Sequence, residues 1–239
     1  MMQKILKDSK GRTYYWEKGD LHTSLGMIKE KDIEEAKEEL EDHRGNHFKV
    51  YTTNRNDRVE RFKRTAQLIL PKDAGMILAY TGIDKTAVVL DAGLGSAGLS
   101  SFLARFVKKV YAYEIKEEHR KTAEKNLESL EIKNIEIKNK DIYGGITEKN
   151  LDLITLDLAE PWKVLAHAFK ALKPGAYLVS YVPQVTQMSL VCEEAIKQHF
   201  LVERTIEVLL REWEVDEKRL RPSHHMLAHT AFLIFLRKP

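Results

Sequence analysis

Three glycines and four carboxylates are spaced along this sequence in a way that can do chemistry. Gly93, Gly95 and Gly98 form a G-x-G-x-x-G pattern inside "VVLDAGLGSAGLSSFLARF" (Val88–Phe106), between an apolar strand-like run and an apolar-periodic helical run. Asp91 stands just before that turn and Glu114 ends the next apolar run. Asp141 lies in "KNKDIY" and Asp157 in "LITLDLAEPWKVL". Glycines at such a turn let backbone N–H groups approach a ligand closely. A carboxylate about 20 residues further on suits ribose hydroxyls. Those features serve a dinucleotide pyrophosphate and the methionine end of S-adenosylmethionine equally well.

Asp91 tips the balance, because an acidic residue beside the turn suits a cationic amino-acid moiety better than a pyrophosphate. Asp141, at the end of a third apolar run, is placed to meet an adenine amino group, its alternative being a helix cap or turn residue. In series with Asp91, Gly93, Gly95 and Glu114 it favours the methyl donor. His119, early in the helix after Glu114, is near enough to edge the same pocket, although a lone helical histidine is more often solvated. Asp157 ends a fourth apolar run, where donor and acceptor must meet in an open parallel sheet; its alternative is to cap the helix beginning near Pro161. Tyr181 occupies the analogous end of a fifth run, and its ring can stack on an acceptor base or pack in the core or rim.

The elements that position these groups follow from the hydrophobic pattern. From Pro71 onward, strand and helix signals alternate, which predicts an α/β fold with a mostly parallel sheet. Strands are expected at Ala87–Leu90, Lys109–Tyr113, Ile135–Lys138, Leu153–Leu156 and Ala176–Tyr181, with helices at Glu117–Leu130 and Trp162–Leu172. "LKPG" (Leu172–Gly175) reads as a helix stop. Two last extended runs, "FLVERTIEVLLREW" and "MLAHTAFLIFLRKP", have no helix between them and predict a C-terminal antiparallel pair, not a second nucleotide-binding half. Residues 1–70 are more polar and turn-rich, a small β-rich N-terminal domain with strands at Thr13–Trp16 and His47–Tyr51. Residues 71–239 form the second domain. The acidic stretch Lys29–Asp42 reads as a solvated helix or loop.

Composition narrows the class. The 239 residues carry 31% charged and 43% apolar side chains with a net charge of +3, which permits a polyanionic partner without demanding one. The single cysteine, Cys192, excludes an intrachain disulfide framework or a cysteine-built zinc site. "HHMLAH" (His224–His229) lacks metal-site spacing, so no metal is expected. No run reaches the ~18 apolar residues of a membrane span, and "MMQKILKDSKG" has no signal-like apolar core, so a cytoplasmic protein without membrane contact is expected. "NRNDRVERFKR" and "RLRPSHHMLAH" are candidate phosphate contacts.

Over nearly its whole length the chain resembles the tRNA (adenine-N1)-methyltransferases of archaea and bacteria. The resemblance is carried by "DSKGRTYYWEKGDLHTSLGMI", "RTAQLILPKDAGMILAYTGI", "DLAEPW", "LVSYVPQVTQ" and "LRPSHHMLAHTAFLIFLRK", in that order. It implies a class I S-adenosylmethionine-dependent methyltransferase, a Rossmann-like seven-stranded sheet, that forms 1-methyladenosine at position 58 of the tRNA T-loop, in some members also at position 57. It further implies cofactor contacts at Gln67, Ser96, Ala97, Gly98 and Leu99 beside Glu114, His119, Asp141 and Asp157. Asp157 is then the catalytic carboxylate, the assembly is a homotetramer, and the target base is extruded from folded tRNA. The family's usual G-x-G-S-G-A is here "GLGSAG", which places a methyl, that of Ala97, where glycine is customary. Competing readings are a noncatalytic tRNA-binding subunit of the same fold, a methyltransferase with a different acceptor, and a nicotinamide oxidoreductase. Retention of all four carboxylates argues against the first, and the lack of a second nucleotide half against the last.

Overall fold

The computed structural model describes residues 4–216 and 219–239, which fall into two compact units, Met1–Phe62 and Lys63–Pro239. The division falls earlier than the expected 70/71. Residues 63–70 bond to the larger unit: the Lys63 amide donates to Asn126 Oδ1 (3.1 Å) and the Thr65 amide to Ser96 Oγ (3.0 Å).

The first unit is β-rich. Its four-stranded antiparallel sheet runs in the order Thr13–Trp16, Lys4–Asp8, His47–Thr52, Glu39–Glu41. Alternation within "HFKVYT" buries Phe48 and Val50 and exposes His47, Lys49 and Tyr51. Leu6, Trp16, Ile28, Ile33, Phe48 and Val50 form the core. The acidic stretch is more structured than its charge suggested. Glu30–Glu35 is a short helix with Ile33 buried, its closing carbonyls accept from the Lys4 ammonium, and Glu39–Glu41 is an edge strand.

The second unit is a seven-stranded sheet, here β1 (Val88–Ala92), β2 (Lys109–Tyr113), β3 (Ile135–Lys138), β4 (Leu151–Leu156), β5 (Leu172–Val182), β6 (Leu201–Glu207) and β7 (Phe232–Arg237). The spatial order is β6-β7-β5-β4-β1-β2-β3. Only β7 runs against its neighbours, pairing antiparallel with β5 on one side and β6 on the other. The expected C-terminal pair is therefore present, with the last strand inserted between the two before it. Helices α1 (Pro71–Thr81), α2 (Gly98–Leu103), α3 (Glu117–Ser129), α4 (Leu165–Ala171) and α5 (Val185–Lys197) cover the faces. Because both faces are covered, the central strands β1, β4 and β7 are buried almost without alternation. Val89, Leu153 and Phe235 enter one core, while Leu90, Ile154 and Ile234 enter the other. "LKPG" belongs to the start of β5, where the register jumps from Leu151↔Leu172 to Leu153↔Tyr177. This topology sets the carboxyl ends of β1, β2 and β4 side by side, which is where the site lies.

Candidate active site

The turn after β1 fits only glycine at one decisive position. Gly93 has φ +90°, and a Cβ there would lie 2.0 Å from the backbone oxygen of Asp157. The Asp157 amide in turn donates to the Ala92 carbonyl (2.9 Å). The two acidic strand ends are thus locked together by backbone alone. Ser96 Oγ accepts from the Thr65 and Ala66 amides (3.0 and 3.3 Å), which draws residues 65–69 over the turn.

Together these segments enclose a cavity of about 410 Å³. Of the residues picked out from the sequence, Gln67, Asp91, Gly93, Gly95, Ser96, Gly98, Leu99, Glu114, His119 and Asp157 line it. Glu114 is fixed in place: it accepts from the Gly95 amide (3.2 Å) and the Lys116 amide (2.9 Å), with His119 Nδ1 at 3.3 Å. Asp91 is buried, and its two oxygens accept from Ser100 Oγ (2.5 Å) and Thr155 Oγ1 (2.6 Å). Burial raises its pKa against those hydroxyls, which lower it. Burial first, and then the like charge of Asp91, push Asp157 up to about 7.

Three selected residues lie elsewhere. Asp141 is exposed and is absent from the lining; its carboxylate accepts from the Tyr143 amide (2.9 Å) and caps the short 3-10 turn Ile142–Gly144, the alternative weighed for it. Ala97 does adopt the left-handed conformation (φ +68°), but its methyl packs with Leu94, Ala112, Ala123 and Leu127, away from the cavity. Tyr181 packs with the α1-side core, where burial first and then the nearby Asp73 raise its pKa.

Sequence reasoning also missed residues that the cavity uses. Ile115, 55% exposed, offers an apolar surface directly after Glu114. Tyr143 also lines the cavity, and its hydroxyl accepts from the Glu160 amide (3.1 Å). Their signal was positional, since Ile115 follows Glu114 and Tyr143 follows Asp141 by two residues.

Asp91, Glu114 and Asp157 make this an acidic cavity, unsuited to a dianionic pyrophosphate and suited to a cation. S-adenosylmethionine, with its sulfonium and ammonium charges, ribose diol and flat adenine, fits such a donor set. Among the described residues no group of three or more His, Cys, Asp or Glu is placed to hold a metal ion. In "HHMLAH", His229 is spent on Glu207 and the Pro183 carbonyl.

A family model described as the tRNA methyltransferase complex GCD14 subunit matches residues 59–231. The chain belongs to this tRNA methyltransferase family. A relative from Methanocaldococcus jannaschii, named tRNA (adenine(57)-N(1)/adenine(58)-N(1))-methyltransferase TrmI, is 35% identical over 99% of this chain and 95% of its own. The tRNA (m1A58) methyltransferase TrmI from Aquifex aeolicus superposes with a TM-score of 0.87 at 28% identity, covering 99% of this chain and 96% of that one. A structure from Thermotoga maritima, described as a SAM-dependent O-methyltransferase, superposes at 0.92 with 29% identity, covering 99% and 92%. These neighbours share the GCD14-family chain's class I methyltransferase sheet.

Proposed function

We propose that this chain transfers a methyl group from S-adenosylmethionine to N1 of adenosine in the T-loop of tRNA, at position 58 and, as in the methanogen relative's name, also at 57. The observation that carries the reading is Asp157. It follows β4 in the "DLAEPW" loop, lines the acidic cavity, and is tied by its backbone to the glycine turn.

When bound, S-adenosylmethionine supplies an electrophilic methyl on a sulfonium. The chain's residues do the rest by placement and charge. Glu114 would accept from the ribose hydroxyls, Ile115 and Tyr143 would flank the adenine, and Gln67 lines the cavity beside the turn. Asp91, with its two oxygens taken by Ser100 and Thr155, backs the cavity rather than offering a free ligand oxygen. Adenine N1 already carries a lone pair, so the acceptor needs orientation in line with the methyl more than removal of a proton. The Asp157 carboxylate accepts a hydrogen bond from the exocyclic amine and stabilises the adenine cation that forms. Tyr181 stands beside this acceptor position and supports the base.

No helix among the described residues is long and apolar enough to cross a membrane, and we place the enzyme in the cytoplasm. We assign it a homotetramer, supported by exposed Leu209, Leu210, Trp213, Val215 and Leu220 between β6 and β7. The Thermotoga neighbour's description favours a second reading, transfer to oxygen. An oxygen acceptor must lose a proton, and an Asp157 that titrates near neutrality is suited to take it. Labelled S-adenosylmethionine incubated with unmodified tRNA, followed by nucleoside analysis and position mapping, separates the two. The proposal expects 1-methyladenosine in the T-loop. Label on a ribose oxygen or none in tRNA overturns it.

A further inference from the structure

Outside the cavity, the second unit buries an ion pair that the reaction as written does not use. Asp73, in the first turn of α1, has no exposed surface, and its neighbour Lys72 has a side chain only 8% exposed. All three ammonium protons of Lys72 are committed: to Asp73 Oδ1 (2.9 Å), to the Val208 carbonyl (2.7 Å) and to Thr230 Oγ1 (2.7 Å). Thr230 passes its own proton to Asp73 Oδ2 (2.9 Å). Tyr181 packs on the core that α1 covers, with Asp73 and Thr230 near enough to its hydroxyl to shift its ionisation.

Such a pair is poor value as a stabiliser, since desolvation consumes most of its attraction. What it does well is fix positions, because every donor and acceptor in it has one partner geometry. The positions it fixes converge on the acceptor side. Val208 and Thr230 are the two legs of the excursion between β6 and β7. Tyr181 follows Ser180 on β5, and Ser180 pairs in register with Leu156, the residue before Asp157. Tyr181 and Asp157 are therefore adjacent at the carboxyl ends of neighbouring parallel strands.

We propose that Lys72, Asp73 and Thr230 form a positioning cluster that holds Tyr181 beside Asp157 and so sets the angle at which the acceptor base meets the methyl. This rests on the functional reading above. The cluster residues do not line the donor cavity, so their role separates from cofactor binding. Asp73→Asn is a poor probe, because it strands the buried Lys72 charge. Thr230→Val, Thr230→Ser and Tyr181→Phe keep that pair intact and give the test.

The measurements are kcat and KM for unmodified tRNA, with the dissociation constant of S-adenosylmethionine measured separately by calorimetry. Thr230→Val is expected to lower kcat about tenfold while changing that dissociation constant by less than about twofold. Thr230→Ser restores kcat to within about twofold of the wild type, because the hydroxyl alone makes the link. Tyr181→Phe lowers kcat similarly, and the double variant with Thr230→Val is no slower than the slower single variant. If Thr230→Val fails to fold, the Thr230→Ser and Tyr181→Phe measurements decide the matter. An unchanged kcat in Tyr181→Phe, additive losses in the double variant, or parallel loss of S-adenosylmethionine affinity overturns the cluster's role. A wild type that transfers no methyl to tRNA overturns the functional reading itself, which the variants' behaviour relative to an active wild type does not.

Discussion

The glycine turn after β1 and the excursion between β6 and β7 belong to the same unit and are built on opposite principles. Around the turn, polar groups are buried and matched: Asp91 with two hydroxyls, Ser96 with two amides, Asn126 with the Lys63 and Ser96 carbonyls. In the excursion, the apolar groups are the exposed ones, Trp213 at 57% and Leu220 at 77%, on a two-stranded hairpin of Trp213–Val215 and Leu220–Pro222. Two of its arginines pair with its own acids: Arg219 with Asp216 and Glu214, and Arg221 with Glu214. They are thus less available to phosphates than "RLRPSHHMLAH" suggested. The cavity beside the turn is lined by residues of this one unit. The exposed leucines and tryptophan of the excursion are the surface on which the proposed assembly would rest.

That contrast breaks most easily at Gly93. Gly93→Ala places a methyl on the Asp157 carbonyl and demands a left-handed alanine, so S-adenosylmethionine binding and methyl transfer should both fall by about a hundredfold or more, read by calorimetry and label incorporation. A variant that keeps wild-type affinity shows that the turn and the β4 end are not locked as described. Next in size, Trp213→Glu together with Leu220→Lys should shift the assembly to smaller species in sedimentation, with S-adenosylmethionine affinity changed by less than about threefold. An unchanged sedimentation profile removes the excursion from the subunit interface. The smallest effect sharpens the account of the turn. Ala97→Gly relieves a left-handed conformation costing roughly 1–2 kcal/mol and gives up a buried methyl worth about 0.8 kcal/mol, so stability should change by less than about 1.5 kcal/mol. Cofactor affinity should not change, because the Ala97 methyl faces Leu94, Ala112, Ala123 and Leu127. A clear gain in affinity would put that methyl back in the cavity.

The same contrast explains what could be read from the sequence. The turn was legible because its chemistry is local: a strand, a glycine that must be glycine, and a carboxylate at the next strand end. Lys109–Tyr113 and Ile135–Lys138 form as their apolar patterns predict, and the antiparallel β6–β7 pair was visible in two extended runs lacking a helix, but not the insertion of β7 against β5. Asp141 caps a short turn in the structure, since a carboxylate at a strand end serves a backbone amide as readily as a ligand, and nothing in the residue type decides between them. The direction of the Ala97 methyl depends on packing from α3, which the turn's own sequence does not contain. The division at Phe62 depends on Asn126 and Ser96, distant in sequence, and the Lys72–Thr230 contact spans most of the unit.

The pH dependence links these structural points to catalysis. Asp157 is raised to about 7, so in the free enzyme its carboxylate is protonated below that value, and kcat/KM should rise as pH climbs through about 7. A cationic donor in the same cavity favours the charged carboxylate, so the midpoint in kcat should lie lower. The folded state also holds this proton more tightly than the unfolded chain. This group's contribution therefore makes stability fall as pH rises from about 4 to about 7, opposite to the trend in activity.

The most direct test is Asp157→Asn, with single-turnover methyl transfer and S-adenosylmethionine affinity measured on the same preparation. An amide keeps the shape but loses the charge proposed to orient the exocyclic amine and to stabilise the adenine cation. The account predicts transfer reduced by about a hundredfold or more at an affinity within about threefold of the wild type, and no remaining midpoint near pH 7. Equal losses in transfer and affinity, or a rate close to the wild type, would contradict it and make Asp157 part of the donor site alone.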